Sequence, residues 1–281
     1  MRRQVKFAGD DNMSRSTTKS GRFVLAIHGG AGTIRRAQLT PARERRYHEA
    51  LRDALKAGYA ILAAGGASLD AVTASVVSLE DCPLFNAGRG AVFNARGRHE
   101  LDAAIMDGAS RNAGAVAGVR RAKNPIRVAR AVMECSPHVL LGGAGADAFA
   151  RKQKLELVAP DHFSTPQRLL ALQRAKQRER GAVREPLSAT DRHGTVGAVA
   201  RDVHGNLAAA TSTGGFTNKL AGRIGDTPVV GAGTYADNVT CAVSATGDGD
   251  FFLRAVFAYD LSARMRYAGE PLARAARNAL A

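Results

Sequence analysis

A glycine and a threonine stand together in mid-chain, at the mouth of an apolar run: Gly194-Thr195-Val196-Gly197-Ala198-Val199-Ala200. Were the chain cut between the first two, Thr195 would become an N-terminal residue carrying both a nucleophilic hydroxyl and a basic α-amine. Such an amine titrates at about 7.7–8.0 when unperturbed, so near physiological pH much of it is neutral and able to take the hydroxyl proton. Gly194 has no side chain, and so tolerates the strained backbone that attack on its own carbonyl demands. A chain cut in this way is an amidohydrolase that matures by cleaving itself. Alone, the pair has a plainer account, because the β-branched side chain of threonine favours strands.

The surroundings decide between the two. Downstream stand His204-Gly205-Asn206, Thr211-Ser212-Thr213-Gly214-Gly215-Phe216-Thr217-Asn218-Lys219, Gly222-Arg223-Ile224-Gly225-Asp226, Val230-Gly231-Ala232-Gly233-Thr234-Tyr235-Ala236 and Ser244-Ala245-Thr246-Gly247-Asp248-Gly249. Upstream lie His28-Gly29-Gly30-Ala31-Gly32 and Pro83-Leu84-Phe85-Asn86-Ala87-Gly88-Arg89-Gly90. This ordered series, from about Phe23 to the C-terminus, resembles the plant-type asparaginase / isoaspartyl peptidase family of N-terminal-nucleophile hydrolases.

The resemblance implies roles, position by position. Thr195 is the nucleophile and Gly194/Thr195 the cleavage site. Thr213 hydrogen-bonds the nucleophile's hydroxyl from a neighbouring strand. Thr246 and Gly247 form the oxyanion hole, one hydroxyl and one backbone N–H. Arg223 and Asp226 clamp the α-carboxylate and α-ammonium of an aspartyl substrate, a planar guanidinium suiting the first and a carboxylate the second. Asn86 faces the active site. The main-chain oxygens of Leu79, Glu80, Cys82, Phe85, Ala87 and Arg89 hold a structural sodium ion, oxygen-only coordination suiting a hard cation; catalysis itself needs no cofactor. Each feature also has an ordinary reading: a turn for Thr246-Gly247, a surface salt bridge for Arg223 and Asp226, a turn-satisfying strand-end hydroxyl for Thr211 or Ser212, a plain loop for 79–89. His28, in its glycine turn, reads as structural, because the mechanism already has its base.

The implied reaction is hydrolysis of the asparagine side-chain amide, or of the isopeptide bond of β-aspartyl dipeptides, through an ester on Thr195. A clamp on the α-carbon places the scissile bond on the side chain, so glutamine, one methylene longer, is expected to be poor. Two other readings stand beside it: an aspartylglucosaminidase-like or threonine-protease-like specificity, and an inactive member acting as a binding or oligomerisation protein.

Composition narrows the classes. The chain has 281 residues and 45% hydrophobic content, enough for a real core, and no apolar run long enough to span a membrane. Its net charge of +15 invites a nucleic-acid reading. The arginines are instead scattered over helix faces, the N-terminal stretch and residues 174–184, with no interleaved aromatic platform, so no specific nucleic-acid partner is expected. The three cysteines have no metal-type spacing and point to a reduced, cytoplasmic protein. No phosphate loop follows the glycines at 142–145. Residues 1–21 are polar, lack a signal-peptide core, and read as a disordered extension, with Met13 an alternative start.

The elements that must position these residues are largely legible. Residues 23–27 read as a buried strand. Thr40-Pro41 opens a helix that stops at Gly65-Gly66. Ser68 is expected to cap a second helix through Leu79. Strands are expected at 100–106 and 113–119, then helices at 124–135 and 145–152. Residues 154–194 turn polar and read as a mobile linker ending at the cleavage site, with a helix start at Thr165-Pro166. After Thr195, strands are expected at 195–201, 206–213, 229–232 and 240–245, a single helix at 250–266, and a last helix from Glu270-Pro271.

The expected fold is α+β, a four-layer αββα sandwich implied by the resemblance. It forms one domain, 22–281, cleaved into 1–194 and 195–281. The resemblance also implies two further strands after the last helix and a homodimer of cleaved heterodimers. A chain stopping at Ala281 is expected to expose an edge of the nucleophile's sheet unless a dimer partner covers it.

Overall fold

The apolar run after Arg22 forms β1 (Val24–His28). In the computed structural model, which describes residues 22–31, 39–180 and 194–280, this strand is one edge of a six-stranded sheet. The other strands are β2 (Leu101–Asp107), β3 (Ala113–Val119), β4 (Leu140–Gly142), β5 (Val196–Arg201) and β6 (Leu207–Thr213), in the order β1-β5-β6-β2-β3-β4. All neighbours are antiparallel except β3 and β4. A separate pair, β7 (Thr234–Ala236) and β8 (Ala242–Ser244), makes a second small sheet. The protein is α+β, a mixed sheet with helices.

Alternation along the strands sends successive side chains to opposite faces. Ala198, Ala200, Ala208 and Ala210 join a core with helices α1 (Pro41–Ala63), α2 (Ser68–Asp81) and α3 (Pro125–Cys135), through residues such as Leu62, Val72, Val76, Leu79 and Ile126. Ala209 and Met106 point the other way, into a second core with Tyr235, Val243, Phe257, Leu261 and Ala275. Thr195, Gly197, Thr211 and Thr213 share the parity of Ala209, so strand geometry turns them toward β7 and β8.

The local start signals hold for α1: Thr40 Oγ1 accepts the Arg43 N–H at 3.3 Å and Pro41 is the first helical residue. They do not hold for α2, where the cap position is Ala67 and Ser68 is already helical. Its N–H donates instead to Asp202 Oδ2 at 3.2 Å, while Asp202 Oδ1 accepts His204 and Asn206 N–H in the β5–β6 turn. One distant carboxylate thus caps the helix and closes the hairpin.

Four further expectations need correction. Much of the linker expected at 154–194 is packed: Phe163 is fully buried, His99 Nε2 meets Ser164 Oγ at 3.0 Å, and α5 (Pro166–Arg180) buries Leu172 and Ala175. A single large aromatic and a short apolar stripe anchor a segment whose polar composition suggested slack; 181–193 lie outside the described residues, as do 1–21. The strand expected at 229–232 is a turn touching Thr234 by an isolated bridge, because Val229 and Gly233 N–H both donate to Asp226 O and wrap the chain around that residue. The single helix expected at 250–266 is two, α6 (Gly249–Ala255) and α7 (Phe257–Ala268), parted at Val256 with φ 48°. The break lets the first N–H groups of α7, on Ala258 and Tyr259, donate to Ala232 and Gly231 carbonyls. The hydroxyls of Thr211 and Ser212 serve no turn: they reach Ser244 and Glu80. Helices α4 (Gly143–Lys152) and α8 (Leu272–Leu280) complete the order.

Candidate functional site

Register places the nucleophile. Val196 pairs with Ser212, so the preceding residue, Thr195, falls opposite Thr213 at the sheet's mouth. Thr195 Oγ1 donates to Thr213 Oγ1 at 3.1 Å, and Gly215 N–H donates to the same oxygen at 3.0 Å. Both threonines are buried. The loop carrying Gly215 is held by Asn86, whose Nδ2 donates to Gly215 O at 2.6 Å while its Oδ1 accepts the Val92 N–H at 2.9 Å. Expected to face the site, Asn86 reaches Thr213 through that backbone.

Gly194 lies against the end of β1. A Cβ built on Gly30 would stand 2.5 Å from Gly194 Cα, and one on Gly194 would overlap Gly30 and Ala31. Gly30 also has φ +107°, a conformation in which a side chain is strained. Two glycines are therefore required where backbone meets backbone at the Gly194–Thr195 bond. The same turn brings in the expected oxyanion pair: Ala31 N–H donates to Thr246 Oγ1 at 3.1 Å. Gly247 is exposed, with Phe252 beneath it.

Behind Thr195 runs a chain of hydroxyls that sequence reasoning did not find. His28 Nε2 meets Ser244 Oγ at 2.9 Å, Ser244 meets Thr211 Oγ1 at 2.8 Å, and Thr234 Oγ1 donates to Thr211 Oγ1 at 2.7 Å. Gly197 leaves the room they need, since a Cβ there would overlap Ser244. Burial pushes the His28 imidazole down to about 4, only partly offset by the Thr195 backbone, so the ring is neutral at physiological pH. It anchors the two sheets and carries no charge at working pH.

Arg223 and Asp226 point at one small space. A Cβ on Gly249 would lie 2.5 Å from Asp226 Oδ1 and 3.2 Å from Arg223 Nη2. The guanidinium lies over the Phe216 ring, 4.5 Å from Cζ to centroid. Arg223 Nε and Asp226 Oδ2 are both buried without a hydrogen-bond partner. Unpaired polar atoms of opposite charge are costly to bury, and the guanidinium and carboxylate that carry them both border the space a side chain at 249 would fill. Burial raises the Asp226 carboxyl to about 6, against the pull of its own backbone amide and of Arg223.

A charged cluster, also unforeseen, is bonded to the backbone next to Arg223. Lys219 is 1% exposed and its Nζ donates to Glu100 O at 2.9 Å. Glu100 Oε2 accepts the Gly222 N–H at 3.0 Å beside Arg223, and Arg120 takes Oε1. Burial raises the Glu100 carboxyl, but bonds from Gly222, Asn94 and Arg120 outweigh it and hold it down at about 2. The signal was present in Asn218-Lys219, but a lysine after a glycine loop does not announce that it is buried.

The 79–89 loop ends α2. Glu80 turns inward, fully buried, its Oε1 accepting Ser212 Oγ at 2.6 Å and the Ile126 N–H at 3.0 Å. The main chain curls so that Pro83 O and Phe85 O both approach the open face of Gly90, 2.6 and 2.7 Å from a Cβ built there. Among the described residues no group of three or more His, Cys, Asp or Glu is placed to hold a metal ion, and main-chain oxygens are what this loop offers a cation.

The family model described as Asparaginase matches residues 21–281. The chain is 55% identical over 253 residues to a Salmonella typhimurium isoaspartyl peptidase, covering 89% of this chain and 81% of that one. It is 54% identical over 259 residues to the Escherichia coli isoaspartyl peptidase, covering 91% and 80%. Against the Homo sapiens isoaspartyl peptidase/L-asparaginase it is 45% identical over 232 residues, covering 82% and 73%.

Proposed function

The chain belongs to the asparaginase family, and from that premise we propose that it cuts itself between Gly194 and Thr195 and then hydrolyses the side-chain amide of L-asparagine and the isopeptide bond of β-aspartyl dipeptides. The observation that carries the reading is the Thr195–Thr213 hydroxyl pair at 3.1 Å, at the head of the strand that follows Gly194.

In the precursor, Thr195 Oγ attacks the Gly194 carbonyl carbon; the C–N bond breaks, its nitrogen takes the proton, and water hydrolyses the resulting ester to a Gly194 carboxylate and a free Thr195. In turnover, the Thr195 α-amine takes the hydroxyl proton as Oγ attacks the substrate's side-chain carbonyl. Thr213, fixed by Gly215, orients that hydroxyl. Thr246 Oγ1 and the Gly247 N–H are assigned to the oxyanion; a single such donor is worth roughly 3–4 kcal/mol where one has been removed. The leaving nitrogen departs with the proton as ammonia or a peptide amine, and water then cleaves the β-aspartyl ester to release aspartate. Arg223 and Asp226 hold the α-carboxylate and α-ammonium.

Measuring ammonia release checks the geometry. L-asparagine should be turned over about 10- to 200-fold faster than L-glutamine, the range that one methylene commands, and β-aspartyl dipeptides should be cut where α-aspartyl ones are not. Equal rates on asparagine and glutamine would overturn the clamp.

Acid pH should act twice. The Thr195 amine must be neutral, giving one loss of kcat/KM below about 7.7–8.0 if its pKa is unperturbed. Asp226 must be charged to hold the substrate ammonium; as pH falls through about 6 it takes a proton and loses that charge. The log kcat/KM profile should therefore steepen from slope one to slope two below about 6, and Asp226→Asn should restore slope one at lower overall activity. An unsteepened wild-type profile would count against this role.

The reading extends to architecture and setting. A four-layer αββα sandwich is supported by α1–α3 on one face of the large sheet and by β7–β8, with α7 and α8 beyond, on the other. A sodium ion would be held by main-chain oxygens of Leu79, Glu80, Cys82, Phe85, Ala87 and Arg89, stiffening the loop that carries Asn86. A cytoplasmic setting is supported by Cys82, Cys135 and Cys241 all being free. The dimer of cleaved heterodimers rests on family membership alone. No helix among the described residues is long and apolar enough to cross a membrane. Neither the binding-protein reading nor the glucosaminidase-like one gains an observation from the site.

A further inference from the structure

Arg223 is not an empty receptor. Its Nη2 is held by Asp250 Oδ2 at 2.8 Å, while its Nε has no partner. Nε and Nη2 form the side-on edge of a guanidinium, the edge that takes a carboxylate through two parallel hydrogen bonds. Half of that edge is thus filled by a carboxylate of the chain itself. Asp250 is not needed to aim the group: Phe216 lies beneath it, and a Cβ on Gly225 would touch Nη1 at 2.9 Å. Asp250 lies in the first turn of α6, just after Thr246 and Gly247, and its side chain is 58% exposed against 15% for Arg223. It can swing into solvent at little cost, since exposed ion pairs are weak.

We propose that Asp250 stands in for the substrate's α-carboxylate on Arg223 and must be displaced before substrate can seat, so that it sets KM and screens ligands. The inference rests on the clamp reading of Arg223 given above. A ligand with only a carboxylate exchanges one ion pair for another and gains nothing. A ligand with a carboxylate and an ammonium on the same carbon gains Asp226 as well, so the displacement favours α-amino acids over simple acids.

The test is Asp250→Asn in the full, self-cleaved protein. KM for L-asparagine and the inhibition constant of L-aspartate should both fall, by roughly two- to five-fold, the worth of an exposed ion pair, with the change in KM rather than kcat. Inhibition by β-alanine amide, which keeps the ammonium and side-chain amide but lacks the α-carboxylate, should not change. In an Arg223→Ala background Asp250→Asn should lose its effect. If KM rises or stays constant in Asp250→Asn, or if β-alanine amide gains as much as aspartate, the stand-in role is overturned. If Arg223→Ala itself leaves KM unchanged, the clamp assignment has failed first.

Discussion

Thr195→Ala should leave a single uncut chain of 29.5 kDa and no detectable turnover, while the parent chain separates into two fragments meeting at Gly194 and Thr195. Both losses come from one oxygen. It is the attacking atom in self-cleavage, and in turnover it is the nucleophile, with a free α-amine on the same residue as its base. An acyl-transfer enzyme stripped of its nucleophile loses on the order of 10⁶-fold in kcat. The fold should survive: the mutation deletes one hydroxyl hydrogen bond to Thr213, worth about 1 kcal/mol. Thr195→Ser, which keeps the oxygen, should still cleave, more slowly. Intact mass over a time course reads the parent chain and both variants. A Thr195→Ala protein that splits at the same bond would place the cleavage chemistry elsewhere.

Arg223→Ala should cut kcat/KM for L-asparagine on the order of 10³-fold, mostly through KM, and leave self-cleavage intact. Removing one partner of a desolvated, hydrogen-bonded charge pair costs about 4 kcal/mol. Here the loss has two parts: the substrate carboxylate forfeits its fork, and Asp226 loses the neighbouring cation that helps hold it charged. Self-cleavage involves only Gly194, Thr195 and their neighbours, so two fragments by mass would prove the variant folded. Normal turnover in a cleaved Arg223→Ala protein would remove Arg223 from substrate binding. Arg223→Lys should recover little, because a lysine is a point charge without the planar edge that pairs with a carboxylate.

Both variants were conceivable from sequence, and the reason is physical. Thr195, Thr213, Arg223, Asp226, Thr246 and Gly247 lie in short, glycine-marked stretches beside strands whose alternation is local, so their types and order survive without coordinates. So do the limits of α1, because Thr40, Pro41 and Gly65 act on backbone groups within a few residues of themselves. The amphipathic stretch at 250–266 was equally legible as helical, but not its break at Val256, since the carbonyls that capture the start of α7 belong to Gly231 and Ala232. Likewise the cap of α2 is Asp202, 134 residues away, where the sequence offered Ser68.

What the sequence determined by itself was the chemistry on offer, the family, and every element whose start or stop is enforced by its own neighbours. What only the tertiary structure decided was which charges are spent and which are free: Lys219 buried on Glu100, Asn86 used on Gly215, His28 neutral behind Ser244, Arg223 half-filled by Asp250. Those outcomes depend on desolvation and on distances between residues far apart in the chain. A hydrogen bond or an ion pair acquires its value from burial, and burial comes from the packing of layers, which no stretch of sequence holds alone.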